Sequence, residues 1–441
     1  MFLIYISNMV EVAAQSTEQL LVDGFSYKLD PSAPYVQERK MVTFHPSGAD
    51  SYAPSGGGSK IIKFPISASG FLDPSSVKLQ MTITNNGTHA LAFLSSGIHP
   101  FFRRCRISCK GVVIEDIDNY SRIAEMFSMF ESEHVNENNA IESAVRWDRA
   151  GATKDTLNQN AKRVISGKIL SGILSQEKFI PLNFVNSLDI ELELCSDAAD
   201  AVTATSGNAA WTLSNCQLKA DIVQIDSELE NKYTQHLMEG NEIRLRYSTF
   251  ITQENVVPGG TFSVNISRAL SRLQSVYVSL GGAVVGANGS DAVTPYIKDY
   301  NTFWSPMTAA ADVGSYHWDS ELDISLQIGA KRLPEFPVQS TAESFQRLKQ
   351  SLGLASSPFH SIAIKPSEYY KNKYILGIDC EKMTGGTAFS GLNTKQSGSL
   401  MTLACKPANA AALAANPNKV YITLMSEQIV SITDSGIHVA D

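Results

Sequence analysis

The sequence lacks most of the features that membrane proteins and enzymes require. No apolar run approaches the roughly twenty residues of a transmembrane helix. The apolar stretch at residues 1–6 has no basic region before it and is too short for a secretory signal. The histidines are scattered without an HxH or HExxH pair, and no Gly-x-Ser-x-Gly elbow, Walker loop or dinucleotide fingerprint occurs. We therefore expect a soluble chain with no transmembrane segment and no catalytic site.

Positive charge is also scarce. The chain has 36 Lys and Arg residues against 44 Asp and Glu residues, a formal net charge of −8. A nucleic-acid-binding surface needs clustered basic residues that displace counterions from phosphates, so we expect no direct sequence-specific nucleic-acid binding. The densest basic group is Arg103, Arg104, Arg106 and Lys110, which we interpret as solvated side chains of a strand.

Cysteine is sparse, with six residues in 441. Their spacing contains no CxxC pair of the metal-binding kind. Cys105 and Cys109 lie four residues apart on a predicted strand, which places them roughly 13 Å apart, too far for a disulfide. We interpret the cysteines as small buried thiols of a reducing compartment and predict no metal site and no cofactor.

What the sequence does contain is alternation of apolar and polar residues. From Val77 to Thr84 every second residue is apolar, the pattern of a strand with one buried face. Similar segments, about eight before residue 226, stop there and restart after residue 240. The main ones are 61–66, 104–109, 179–183, 188–195 and 213–225, then 243–250, 261–266, 273–280, 322–328, 374–378, 399–405 and 420–425. Many short strands favour antiparallel sandwiches over a parallel sheet with crossover helices.

The repeated pattern predicts two consecutive all-β domains. A single core is not expected in a chain of 441 residues, because cores stop growing near 250–300 residues. We predict an N-terminal arm at 1–40, a first domain at 41–225, a linker at 226–240 and a second domain at 241–441. Surface helices are predicted at 119–130 and at 341–352, the second with Ser340 as its N-cap and Gly353 at its end.

Two long polar loops are predicted, at 131–165 and 281–316. Loops of this length in a compact fold are usually functional or disordered. The second, together with the two residues that follow it, is rich in aromatic residues: Tyr296, Tyr300, Phe303, Trp304, Tyr316 and Trp318. Such residues either anchor an interface or pack on their own domain, and the sequence leaves both interpretations open.

Two groups of carboxylates could carry chemistry. Glu115, Asp116 and Asp118 could bind calcium, although a turn before the helix at Tyr120 explains them equally well. Asp189, Glu191 and Glu193 alternate along one strand, and paired carboxylates across a cleft would suit a glycan hydrolase. The polar face of an exposed strand is the simpler explanation, so we predict no catalytic, cofactor-binding or metal-binding residue.

Several short motifs occur in an ordered set. Residues 71–79, 99–108 and 111–116 read FLDPSSVKL, HPFFRRCRIS and GVVIED. Residues 328–337, 342–345, 389–394, 420–424 and 434–437 read IGAKRLPEFP, AESF, FSGLNT, VYITL and DSGI. The set, which spans roughly residues 40–440, resembles the double jelly-roll major capsid proteins of Polinton-like viruses, virophages and adintoviruses, in the adenovirus hexon-type lineage. Residues 109–111, Cys-Lys-Gly, depart from the family, which usually has Asn-Gly here.

The resemblance implies two consecutive eight-stranded antiparallel jelly rolls. It implies a non-enzymatic capsid subunit whose pseudo-hexagonal homotrimers tile the icosahedral shell of a small double-stranded DNA virus, assembled inside the host cell. Neighbouring capsomers, penton and minor capsid proteins would be its partners. The loops at 131–165 and 281–316 would be outward towers, and the N-terminal arm would reach neighbours or an internal membrane.

Two other classes of protein remain open at this point. One is a two-lobed jelly-roll hydrolase that acts on glycans. The other is a carbohydrate-binding or adhesive β protein that uses exposed aromatic residues of the loop at 296–318. Activity on glycans would identify the first, and binding to a glycan array would identify the second.

Overall fold

A computed structural model describes most of the chain. The described residues are 36–55, 58–145, 155–185, 187–258, 261–281, 298–306, 322–354, 362–369, 372–381, 391–396, 400–407, 419–434 and 436–440. The predicted N-terminal arm up to residue 35 and most of the predicted loop at 281–316 lie outside them.

The strands form two groups that are separated by one helix. The first group is β1 Val36–Phe44, β2 Ser51–Tyr52, β3 Ile61–Ile66, β4 Phe71–Leu72, β5 Lys78–Asn85, β6 Leu91–Phe93, β7 Phe102–Cys109, β8 Val112–Ile117, β9 Thr156–Leu157, β10 Lys162–Lys168, β11 Ile180–Pro181, β12 Leu188–Leu194, β13 Val202–Ala204 and β14 Trp211–Ile225. The second group is β15 Ile243–Val256, β16 Phe262–Ile266, β17 Leu273–Gly281, β18 Leu322–Ile328, β19 Lys331–Val338, β20 Ile375–Asp379, β21 Met401–Pro407, β22 Lys419–Thr433 and β23 Gly436–Ala440.

Helices are short and lie between strands. They are α1 Tyr120–Phe130, α2 Glu133–Glu142, α3 Leu182–Val185, α4 Ala198–Ala201, α5 Ser227–Met238, α6 Thr341–Ser351 and α7 Pro366–Tyr369, with 3₁₀ turns at Pro74–Ser76 and His99–Phe101. Among the described helices, none is long and apolar enough to span a membrane.

Both groups of strands have the same arrangement. In the first group, eight strands form two antiparallel sheets, β1-β14-β5-β10 and β3-β12-β7-β8. In the second group, eight strands form β15-β22-β17-β20 and β16-β21-β18-β19. We call these groups the first sandwich (36–225) and the second sandwich (243–440). When the eight sheet-forming strands of each sandwich are numbered one to eight along the chain, both sandwiches have one sheet of order 1-8-3-6 and one of order 2-7-4-5. The second sandwich therefore repeats the topology of the first.

This strand order is that of a jelly roll, in which two sheets of four strands face each other. Alternation along the strands places the core between them. In β5 the side chains of Leu79, Met81 and Ile83 are fully buried, whereas Lys78 and Gln80 are half-buried. The predicted all-β double jelly roll with a few short helices is therefore confirmed.

The helices predicted from apolar periodicity are present. α1 and α6 lie within a residue of their predicted bounds, and the Ser340 hydroxyl accepts a hydrogen bond from the Glu343 amide at 3.1 Å. Gly353, just beyond α6, has a φ of +69°, which glycine adopts without strain.

Other local predictions need correction. The strand predicted at 179–183 is wrong beyond Pro181, because Asn183 accepts a hydrogen bond from the Gly70 amide and holds a helical turn. The loop predicted at 131–165 contains α2, β9 and β10. α2 buries no side chain, so its sequence has no apolar stripe that periodicity could detect.

The segment boundaries also differ from the prediction. Residues 36–40, predicted as part of the arm, are the start of β1, and the predicted linker at 226–240 contains α5. Apolar residues of the second sandwich, among them Leu245, Tyr247 and Phe250, join the hydrophobic core of the first. The division into two domains with separate cores therefore stays a prediction.

Candidate functional site: the junction between the two sandwiches

The helix that follows β8 places an arginine of the first sandwich inside the second. Arg122 of α1 is only 4% exposed. Its guanidinium donates to the carbonyl oxygens of Thr302 at 2.9 Å and Leu280 at 3.2 Å, and to that of Asp299. It also donates to the Ser279 hydroxyl at 3.3 Å. Backbone oxygens of two separate segments of the second sandwich thus hold one side chain of the first.

Aromatic rings complete the pocket around this guanidinium. Its carbon lies 4.1 Å from the ring centroid of Tyr421 and 4.3 Å from that of Phe303, within the range of a cation–π interaction. The Tyr421 hydroxyl donates to the Asp299 carboxylate. Burial lowers the pKa of Arg122 and raises that of Tyr421. The Arg122 guanidinium therefore loses its hydration shell and gains contacts with the second sandwich. This exchange is favourable only when the two sandwiches are packed together.

The apolar face of α1 extends this contact. The ring of Phe127 lies 4.6 Å from that of Phe250 and 5.8 Å from that of Tyr277, and the ring of Phe130 lies 5.6 Å from that of Tyr277. Aromatic pairs in this range of distances stabilise a contact beyond the area that they bury. α1 thus covers the outer face of the sheet that contains β15 and β17.

A second part of the junction joins β8 to β15. The Tyr247 hydroxyl lies 2.7 Å from the carbonyl oxygen of Ile114 and 2.8 Å from Oε1 of Gln428. A Cβ atom placed on Gly172 would lie 1.8 Å from the carbonyl oxygen of Ser248, so the two backbones meet where no side chain fits. Glycine is the usual residue where two backbones approach this closely, because it has no Cβ atom.

A buried carboxyl group lies beside this contact. Glu115 of β8 accepts hydrogen bonds from the Gly172 amide at 2.9 Å and from the hydroxyls of Ser171 and Thr249. Burial raises the pKa of Glu115, although these hydrogen bonds lower it in part. Glu115 therefore links a loop of the first sandwich to β15 of the second. Both carboxylate oxygens of Glu115 thus accept hydrogen bonds from protein donors, and no group of three or more potential metal ligands occurs among the described residues.

A serine, a histidine and a glutamate also meet at the junction. Nε2 of His99 lies 3.1 Å from the Ser95 hydroxyl and 2.8 Å from the Glu125 carboxylate, and the Ser95 hydroxyl donates directly to Glu125 at 2.7 Å. In a catalytic triad the serine and the acid contact opposite ring nitrogens. Here Ser95 and Glu125 contact the same ring nitrogen, so the cluster has no triad geometry. Lys373 of the second sandwich lies 3.8 Å from the Glu125 carboxylate, so the cluster bridges the two sandwiches.

The other carboxylates singled out in the sequence lie on the surface of the sheet. Asp189 and Glu191 both pair with Lys63, at 3.1 and 3.2 Å. These residues and Glu193 alternate with buried residues along β12, so they form one polar face of a sheet and no cleft. In the basic group, Arg104 pairs with Asp116 through two contacts of 2.6 and 2.7 Å.

The aromatic residues of the second predicted loop divide into two sets. Tyr300 and Phe303 are buried, and Trp304 packs half-buried on the core of the second sandwich. For these three residues the structure shows packing on their own chain. Tyr296, Tyr316 and Trp318 lie outside the described residues.

Sequence reasoning missed the role of Arg122. The signal was present, because Arg122, Met126 and Phe130 are spaced four residues apart and so share one stripe of α1. A charged residue on an otherwise apolar stripe indicates a specific buried partner, but only the fold identifies that partner.

Neither a family model nor a curated protein matches the sequence. Solved structures with the same fold do match. PBCV-1 VP54, fitted into a reconstruction of the virophage Sputnik, is 12% identical with a TM-score of 0.63, over 95% of this chain and 99% of that one. The Faustovirus major capsid protein is 9% identical with a TM-score of 0.63, over 93% of each chain. A chain of the Sputnik virophage is 10% identical with a TM-score of 0.58, over 94% and 90%. The chain thus has the double jelly-roll fold of these viral capsid proteins.

Proposed function

We propose that this chain is a major capsid protein. It forms pseudo-hexagonal homotrimers that tile the icosahedral shell of a small double-stranded DNA virus, and it is not an enzyme. One observation carries the proposal: the chain contains two sandwiches of the same topology, and buried polar and aromatic contacts join them. The likeness to solved capsid proteins over nearly the whole chain supports it.

The doubled topology supports a trimer in particular. Three chains with two similar sandwiches each place six similar walls around one axis, and a six-sided block fills a flat facet without gaps. Contacts between different surfaces of neighbouring copies close into a ring when the rotation between copies allows it. Many weak contacts between such rings then add together to hold a shell.

The proposed location is the virion shell, with assembly inside the host cell. Neighbouring capsomers would contact the outer walls of the trimer, and penton and minor capsid proteins would fill other positions. The net charge of −8 suits a shell protein that leaves genome packing to other components. The N-terminal segment up to residue 35 would reach neighbours or an internal membrane.

The two alternative functions gain no support from the geometry. A glycan hydrolase needs two carboxylates on opposite sides of a bound sugar. Asp189 and Glu191 instead share one lysine on one face of a strand. An adhesin would need exposed aromatic residues, whereas two of the three aromatic residues of the loop at 296–318 that the structure describes, Tyr300 and Phe303, are buried.

The mass of the purified protein in solution tests the proposal. Light scattering coupled to size exclusion should give three times 47.9 kDa, and negative-stain images of that peak should show a hexagonal outline. A protein that stays monomeric under all assembly conditions would contradict the proposal.

A further inference from the structure

The junction inside the chain suggests how one copy meets the next. Within the chain, strand five of the first sandwich, β8, packs against strand one of the second, β15. The helix after strand five covers the sheet to which strand one belongs. Both sandwiches have the same strand order, so the counterpart of β8 is strand five of the second sandwich, β19, and the counterpart of β15 is strand one of the first, β1. Within the described part of the chain, β19 and β1 do not form such a junction with each other.

The correspondence extends to the neighbouring residues. α1 begins three residues after β8 ends, and α6 begins three residues after β19 ends. Glu115, which reaches β15 across the junction, is two residues from the end of β8. Phe336 is likewise two residues from the end of β19, in the stretch where the register between β18 and β19 shifts.

The matching surfaces differ sharply in exposure. On β15, Leu245 and Tyr247 are buried by the first sandwich. On β1, residues 36–41 are all exposed, with Val36 at 46% and Met41 at 68%. On β19, Phe336 is 78% exposed. The described residues thus leave apolar side chains in water at both positions where the topology predicts a junction.

Both strands are also edge strands. β1 pairs with β14 alone, and β19 pairs with β18 alone, so among the described strands each has one unpaired edge. Exposed edges that carry apolar side chains are prone to pair with other chains unless a partner covers them. Each strand also carries exposed charges of both signs, which can be matched across a contact: Glu38, Arg39 and Lys40 on β1, and Lys331, Arg332 and Glu335 on β19.

We propose that β19 of one copy docks against β1 of the next copy of this chain. The contact joins different surfaces, so it is head-to-tail, and in the proposed trimer it closes into a ring after three copies. It repeats between chains the junction that β8 and β15 form within a chain. The inference rests on the proposed trimer and specifies which surfaces build it.

Two substitutions, one on each surface, test this contact. Met41→Asp and Phe336→Asp each place a charge where the proposed contact is apolar, so each variant should elute as a monomer. Met238→Asp is a matched control, since Met238 is 72% exposed on α5 and lies on neither surface, and it should remain trimeric. Far-UV circular dichroism and urea unfolding verify that the variants fold, and Met41→Ser with Phe336→Ser repeats the test without added charge.

Mixing the two variants tests the head-to-tail geometry. A Met41→Asp chain keeps an intact β19, and a Phe336→Asp chain keeps an intact β1. An equimolar mixture should therefore form dimers through the one intact contact, and these dimers cannot close a ring because their free surfaces are both altered.

Each outcome has a distinct meaning. A trimeric wild type with trimeric Met41→Asp or Phe336→Asp overturns the inference and leaves the proposed function standing. A mixture of monomeric variants that forms no dimer overturns the pairing of these two surfaces. A monomeric wild type overturns the proposed function, and this inference with it.

Discussion

At the scale of single residues, the junction depends on polar groups that are removed from water. Glu115 is the most informative, because its neighbours come from both sandwiches. Burial favours the protonated form of a carboxyl group, and this is the larger effect on its pKa here. The residue therefore opposes folding at neutral pH, where its charged form is the stable one in the unfolded chain, and it is kept in place by its hydrogen bonds.

The sign of the resulting pH dependence follows from proton binding. Because the pKa of Glu115 is raised in the folded protein, the folded state binds more protons than the unfolded state above the ordinary pKa of 4.5. The stabilising contribution of protonated Glu115 is fully present below pH 4.5, and it is lost as the pH rises through the pKa of Glu115 in the folded protein. We expect Glu115→Gln to gain stability relative to the wild type as the pH is raised from 4 to 8. Urea unfolding at several pH values measures this, and a difference that is independent of pH would contradict it.

At the scale of elements, α1 is the helix of the first sandwich that packs against the second. Arg122 fixes this helix to the carbonyl oxygens near the end of β17. Replacement by methionine keeps much of the volume but leaves those oxygens without a donor, at a cost of about 1–3 kcal/mol for each group that water cannot reach.

We therefore expect Arg122→Met to lower the free energy of unfolding by about 2–4 kcal/mol. Arg103→Met is the matched control, because Arg103 is exposed on β7 and its replacement should change stability by less than about 0.5 kcal/mol. Urea unfolding of both variants measures the difference. Equal effects of the two substitutions would show that the contacts of Arg122 add no stability.

The elements also show how far sequence reasoning reaches. Strands with one buried face, such as β5 and β12, were predictable because each alternates along its whole length. α1 and α6 were predictable from their apolar stripes. α2 and α5 were not, because α2 buries no side chain and α5 buries only Leu237, so neither has a stripe. The junction was not predictable either, since it joins residues such as Arg122 and Thr302 that are 180 positions apart.

At the scale of the whole molecule, the two sandwiches share a hydrophobic core and buried polar contacts in the described structure. Separation would expose Arg122, Glu115 and the aromatic contacts of Phe127 together, and it would open a core that residues of both sandwiches share. The contacts of Arg122 and Phe127 stabilise the protein only when both sandwiches are present. The proposed role as a shell subunit would benefit from such a junction, because a fixed angle between the sandwiches would fix the angle between neighbouring subunits.

We accordingly expect one cooperative unfolding transition. Trp211 is buried in the first sandwich and Trp304 packs in the second, so each reports on one half. The test uses two proteins, each with the other three tryptophans replaced by phenylalanine. Both carry Met41→Asp, which the proposed contact predicts to be monomeric, so that dissociation of the proposed trimer does not contribute. Fluorescence should give the same urea midpoint from either tryptophan, and far-UV circular dichroism should follow the same curve. Two separate midpoints would mean that the junction is weaker than either core, and that the sandwiches fold as independent domains joined by α5.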